Sequence, residues 1–159
     1  MKKTKNLPRS AGGQSLFELV VAVGLIGLVL VALVGLTTKS LSSSTYSKNK
    51  SLAARHTQEA LEWLRGLRDQ DWTTFFNYDT AGGAGTYYCL STLTNPLSPR
   101  RNCNSDEYVT GTIFVREAYL ENLAGSPETV EATVTTRWTD SAGVHLSESK
   151  TSFTNWHKK

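Results

Sequence analysis

Acidic residues are missing from the start of this chain. None occurs before Glu18, whereas Lys2, Lys3, Lys5 and Arg9 all fall in the first nine positions. Cysteine is scarce, with two in 159 residues, so no thiolate-rich metal cluster is possible. The three histidines, His56, His145 and His157, are scattered and show no metal-ligand spacing. None of them stands in a nucleophile motif, and there is no phosphate-binding loop or dinucleotide fingerprint. The acid pairs Asp69/Asp71 and Asp106/Glu107 read as solvated groups. We therefore expect no enzyme, no cofactor and no metal. Charged residues make up only 19% of the chain and the formal net charge is +3. Setting aside residues 1–13 removes four cations and leaves 13 Lys+Arg against 14 Asp+Glu. The positive charge thus belongs to a leader, which argues against a nucleic-acid groove.

The apolar residues are concentrated. Leu16 to Leu36 is 21 residues long and contains one ionisable group, Glu18. As a helix this run spans about 31 Å, close to the hydrocarbon thickness of a bilayer. The cations before it predict a single pass with the N-terminus in the cytoplasm and the remainder outside. A secretory signal has a shorter apolar core followed by small residues and a cut. Here Ala11-Gly12-Gly13 precedes the run, and Thr37-Thr38-Lys39-Ser40 follows it. A cut at the glycines removes the leader and keeps the span.

Glu18 has two readings. It is an interfacial carboxylate that snorkels from the edge of the span, or it has a cationic partner. A carboxylate at a helix centre in a membrane costs roughly 2.5–3.5 kcal/mol, and less near an end. A cut after Gly13 creates an amine at Gln14, four residues earlier on the same helical face. That amine can pair with Glu18 of its own chain or of a neighbour. The second arrangement fixes register, because a displaced subunit leaves two unpaired charges in a low dielectric.

Gly13-Gln14-Ser15-Leu16-Phe17-Glu18-Leu19-Val20-Val21-Ala22 resembles the prepilin cleavage and methylation segment of type IV pilins and pseudopilins. The resemblance covers residues 1 to about 37. It implies that a prepilin peptidase cuts between Gly13 and Gln14 and methylates the new terminus at Gln14. It also implies that Glu18 engages a neighbour's terminus during assembly. The implied partners are other pilin or pseudopilin subunits, the peptidase, an inner-membrane assembly platform and an assembly ATPase acting indirectly. Adhesion, secretion and DNA uptake all remain open. Gln14 departs from the family's usual Phe, and the span lacks the Pro often found along this helix.

Beyond the span, Ala53, Thr57, Ala60, Leu61, Leu64 and Leu67 recur at three- and four-residue steps. This predicts an amphipathic helix. Joined to the span it gives one helix from about Ser15 to Arg68; the alternative is two helices with a Ser/Thr hinge across Thr37–Lys50.

After about residue 70 the period changes to two. Val130, Ala132, Val134, Thr136 and Trp138 alternate with polar residues over Thr129–Thr139, a half-buried strand. Thr110–Leu120 reads as a second strand, His145–Trp156 as a third at an edge, and Thr86–Ser91 as a short fourth. Asp140-Ser141-Ala142-Gly143 reads as a hairpin turn. Asp79–Gly85 and Asn95–Asn104 read as loops. Val130 to Gly143 bears a looser similarity to the C-terminal part of minor pilins and minor pseudopilins. Cys89 and Cys103, outside the cytoplasm, predict a disulfide worth roughly 3 kcal/mol; the alternative is two free thiols.

The expectation is an α+β chain: a leader over 1–13, a membrane and assembly helix over 14–37, its amphipathic continuation over 38–69, and a β-rich domain over 70–159. The helix packs on a small antiparallel sheet, as in pilins. The rival is a signal-anchored receptor or binding module outside the cytoplasm that never polymerises.

Overall fold

The computed structural model describes residues 16–81, 84–124 and 128–155. The expected cleavage and methylation positions, Gly13 and Gln14, lie outside the described residues. The chain forms two compact units, residues 1–44 and 45–159. The elements are α1 (Leu16–Gln70), α2 (Trp72–Phe76), β1 (Thr86–Cys89), β2 (Val115–Leu123), β3 (Thr129–Asp140) and β4 (Gly143–Thr154).

Helix α1 has 55 residues and no Pro, so its backbone ladder has no missing donor. It passes through the Ser/Thr-rich segment without a break. Thr37 Oγ1 lies 3.0 Å from Leu33 O, and Thr38 Oγ1 lies 2.9 Å from Val34 O. The hydroxyls thus bond to their own helix rather than opening a hinge. Its buried residues are Ala53, Thr57, Ala60, Leu61, Leu64 and Leu67, the same six that the spacing picks out. Asp71 then starts α2 as its N-cap, its carboxylate accepting from the Thr73 and Thr74 amides at 2.9 and 3.2 Å. That cap satisfies donors the helix leaves open. Helix α2 was not foreseen.

The four strands form one antiparallel meander in the order β1-β2-β3-β4. On β3, Val130, Ala132, Val134, Thr136 and Trp138 are all buried. Val130, Ala132 and Val134 pack with Leu61, Leu64 and Phe75, joined by Leu120 from β2 and Phe153 from β4; Thr136 meets the Thr57 hydroxyl, and Trp138 packs with Ala53 and Phe114 in a second cluster. The hairpin at Asp140–Gly143 pairs those two residues across a two-residue turn. β4 begins at Gly143 and ends at Thr154, two residues earlier at each end than expected.

The expected strand Thr110–Leu120 is a correction. β2 begins only at Val115. Ahead of it, Thr112 Oγ1 bonds Val109 O at 2.7 Å, and the Phe114 amide bonds Thr112 Oγ1 at 3.1 Å. Gly111 adopts φ +73. These local bonds take up groups that a ladder would need.

Each outer strand takes one bond from outside the sheet. At β4, Lys50 Nζ donates to Leu146 O at 2.7 Å. At β1, the Cys89 amide donates to Pro99 O at 3.1 Å, within the loop closed by the Cys89–Cys103 disulfide. A lysine on one edge and a covering loop on the other are recognised ways of blunting a strand edge.

Candidate functional site

Two parts of the chain hold the expected site residues. The first is the apolar start of α1. From Leu16 to Leu36 its large side chains are all exposed within the described structure, with Leu16 at 80% and Val31 at 74%. The helix is long and apolar enough to cross a membrane, judged by length and composition. Glu18 lies in its first turn and is the acid there. A Cβ added at Gly24, Gly27 or Gly35 would meet nothing within 4 Å, so no contact among the described residues requires these glycines. Lys39, Lys48, Lys50 and Arg55 follow the run with no acid before Glu59. Four cations therefore stand on each side of the span, and their count alone does not orient it.

The second feature is the disulfide loop. Cys89 and Cys103 are bridged, as expected. Cys89, Cys103 and Glu107 lie close together, but sulfurs bonded to each other are not thiolates and do not bind a metal as such. Glu107 instead ties the loop. Its carboxylate accepts from Arg101 at 2.7 and 2.6 Å and from the Asn104 amide at 2.6 Å. The Arg101 hydrogen bonds, followed by the Asn104 amide, hold the Glu107 carboxyl down at about 2 rather than its usual 4.5. A depressed carboxylate contributes its full stability above the unfolded value and loses it as pH falls through the folded value. Protection of the Asn104 amide in hydrogen exchange should therefore be constant above pH 4.5 and fall as pH approaches 2. A Glu107 carboxyl seen by NMR to titrate at its ordinary value would refute this tie.

Sequence reading missed Arg116. It is buried on β2, and its guanidinium bonds Leu90 O, His56 O and the Glu59 carboxylate, all at 2.8–3.1 Å. The available signal is its register, because Arg116 pairs with Thr136, in the buried phase of β3. Burial lowers the Arg116 pKa and Glu59 opposes it. Burial also pushes the Glu59 carboxyl up, but hydrogen bonds from His56 and Arg116 outweigh this and hold it below its usual value.

The other candidate groups are structural. His56 Nδ1 is 3.3 Å from Glu59, and His145 Nε2 is 2.9 Å from Asp140. His157 is outside the described residues. Asp69 pairs with Arg68, and Asp71 caps α2. The structure brings together Cys89 and Cys103 among the expected site residues; Glu18 belongs to the first unit. No known protein family, curated protein or solved structure matches this chain.

Proposed function

We propose that this chain is a prepilin-type subunit of a type IV pilus or a type II secretion pseudopilus, most like a minor pilin or minor pseudopilin. It enters the membrane as a single-pass precursor with its N-terminus in the cytoplasm. A prepilin peptidase cuts between Gly13 and Gln14 and methylates Gln14. The trimmed chain then joins an extracytoplasmic filament through α1, working with an inner-membrane platform and other subunits.

The observation that carries this reading is Glu18, a lone carboxylate in the first turn of an exposed apolar helix. The helix faces supply apolar area for bundling, and the carboxylate supplies a position. An amine at Gln14 offers the partner that makes a charge tolerable there. The Cys89–Cys103 bridge supports the orientation, since disulfides persist outside the reducing cytoplasm.

Mass spectrometry of the protein from cells with an active prepilin peptidase should find a mature N-terminus at Gln14. Glu18→Ala should keep that cut and lose incorporation into sheared filaments. Recovery of uncut Met1, or normal incorporation of Glu18→Ala, would count against the reading. The first result would favour a signal-anchored binding module.

A further inference from the structure

Among the described residues of the second unit, seven large hydrophobic side chains are exposed, and five of them gather at the hairpin end of the sheet. Val144 is 68% exposed, Leu146 53%, Tyr108 and Ile113 49% each, and Tyr46 42%. Tyr108 and Ile113, from the loop before β2, share a groove of about 470 Å³ with Val144 and Trp138. Tyr46 joins from the helix side, its ring centroid 6.0 Å from Trp138 and 5.1 Å from His145. Soluble surfaces seldom leave this much apolar area together without use.

This end is also where the chain enters the unit. Along α1, Tyr46 packs on Trp138 and His145, Thr57 bonds Thr136, and Leu64 packs with Val130 and Phe153. Residue numbers rise along the helix as they fall along β3, so α1 begins its course over the sheet at the hairpin. Thr45 opens the second unit and follows Leu36, the last residue of the apolar run, by nine positions. Nine residues reach at most about 32 Å. A bilayer crossed by that run is therefore tethered to the hairpin end of the sheet.

We propose that this end rests in the lipid interface of the membrane that α1 crosses, with Val144, Leu146 and Ile113 at the acyl boundary and Tyr108 and Tyr46 among the headgroups. The proposal rests on the reading that α1 spans a bilayer, and it adds a second, reversible contact to that one. A tyrosine suits this depth, having an apolar ring and a polar tip, and tyrosines gather at membrane–water boundaries. Charge of both signs is present and does not select the partner. Lys48 is exposed, Lys50 donates to Leu146 O, Arg137 pairs with Glu117, and Asp140 is bonded by His145 and the Ala142 amide. The exposed apolar surface selects it, together with a tether that keeps the patch beside the bilayer at high local concentration. A subunit leaving the membrane for a filament then has to give up this contact as well as the span.

The test places the full-length chain in nanodiscs of phosphatidylethanolamine and phosphatidylglycerol, with photoreactive benzoylphenylalanine at position 144 or, as control, at position 152. Ser152 is exposed on the same strand, eight residues and about 27 Å away at strand rise. After irradiation, mass spectrometry should find a lipid adduct at 144 and none at 152. Leu146→Glu with Ile113→Glu, both on exposed side chains and checked for folding by circular dichroism, should cut the adduct at 144 by about tenfold or more, as expected for losing two buried aliphatic groups. Crossing is scored separately, by resistance to alkaline extraction from vesicles of the same lipids. A chain that resists extraction but gives no lipid adduct at 144 overturns this proposal and leaves the crossing intact; a chain that is extracted overturns both. Equal adducts at 144 and 152, an adduct to a second copy in place of lipid, or a yield indifferent to the double substitution would also overturn it.

Discussion

Glu59→Ala is expected to cost about 3 kcal/mol of stability, although Glu59 is a largely exposed residue. Removing it leaves the Arg116 guanidinium buried at 2% exposure without its counter-charge. Stranding a buried charge costs about 3–5 kcal/mol, and solvent access to the 56% exposed Glu59 puts this pair at the lower end. Arg116→Ala should cost about 2–5 kcal/mol for a different reason. It deprives Leu90 O of its side-chain donor, at about 1–3 kcal/mol, and empties a buried site, while His56 O keeps its helical bond within α1. Because the two substitutions act on one network, the double variant should lose well under the sum. Urea unfolding of the full chain in detergent, followed by near-ultraviolet circular dichroism, gives all four corners of the cycle. Additive losses would show that the pair is not coupled. A Glu59→Ala loss of a few tenths would show that Arg116 is solvated in the folded protein.

Trp138→Ala should be as damaging, at about 3–5 kcal/mol, the usual range for emptying a large core aromatic site. Trp138 is 1% exposed. Its ring centroid lies 5.2 Å from His145, 5.9 Å from Phe114 and 6.0 Å from Tyr46. It thereby ties β4, the loop before β2 and the Tyr46–Ala53 stretch of α1 together. Among the described residues its Nε1 has no hydrogen-bond partner, so replacing the indole by phenyl removes no bond there. Trp138→Phe should cost less than half as much as Trp138→Ala. Thermal melts of the two variants decide this. Equal losses would mean that the indole nitrogen is bonded after all. Hydrogen exchange should show the Trp138→Ala damage first at Tyr46 to Ala53, where few other apolar groups hold the helix.

The helix and the middle of the sheet were legible in the sequence because one physical signal dominates each. Ala53 through Leu67 repeats at the helical period, and Val130 through Trp138 alternates at the strand period; in both, the residues in phase are the buried ones. Two cysteines allow one pairing, and the structure bridges Cys89 with Cys103. Legibility ended where local hydrogen bonds compete with pattern. Phe114 and Ile113 look like strand residues, but the Thr112 hydroxyl and the turn at Gly111 withhold the backbone before Val115. Helix α2 is short enough that one cap residue, Asp71, decides it. Arg116 escaped because burial of a cation depends on three acceptors contributed by α1 and the segment after β1, distant in sequence.

The guarded margins of the sheet bear on how copies can come together. Lys50 is seated on the Leu146 carbonyl and Pro99 O takes the Cys89 amide, so each outer strand has one backbone group already engaged from outside the sheet. A strand added along β4 at Leu146 or along β1 at Cys89 would first have to displace those bonds, whereas a contact made through side chains leaves them in place.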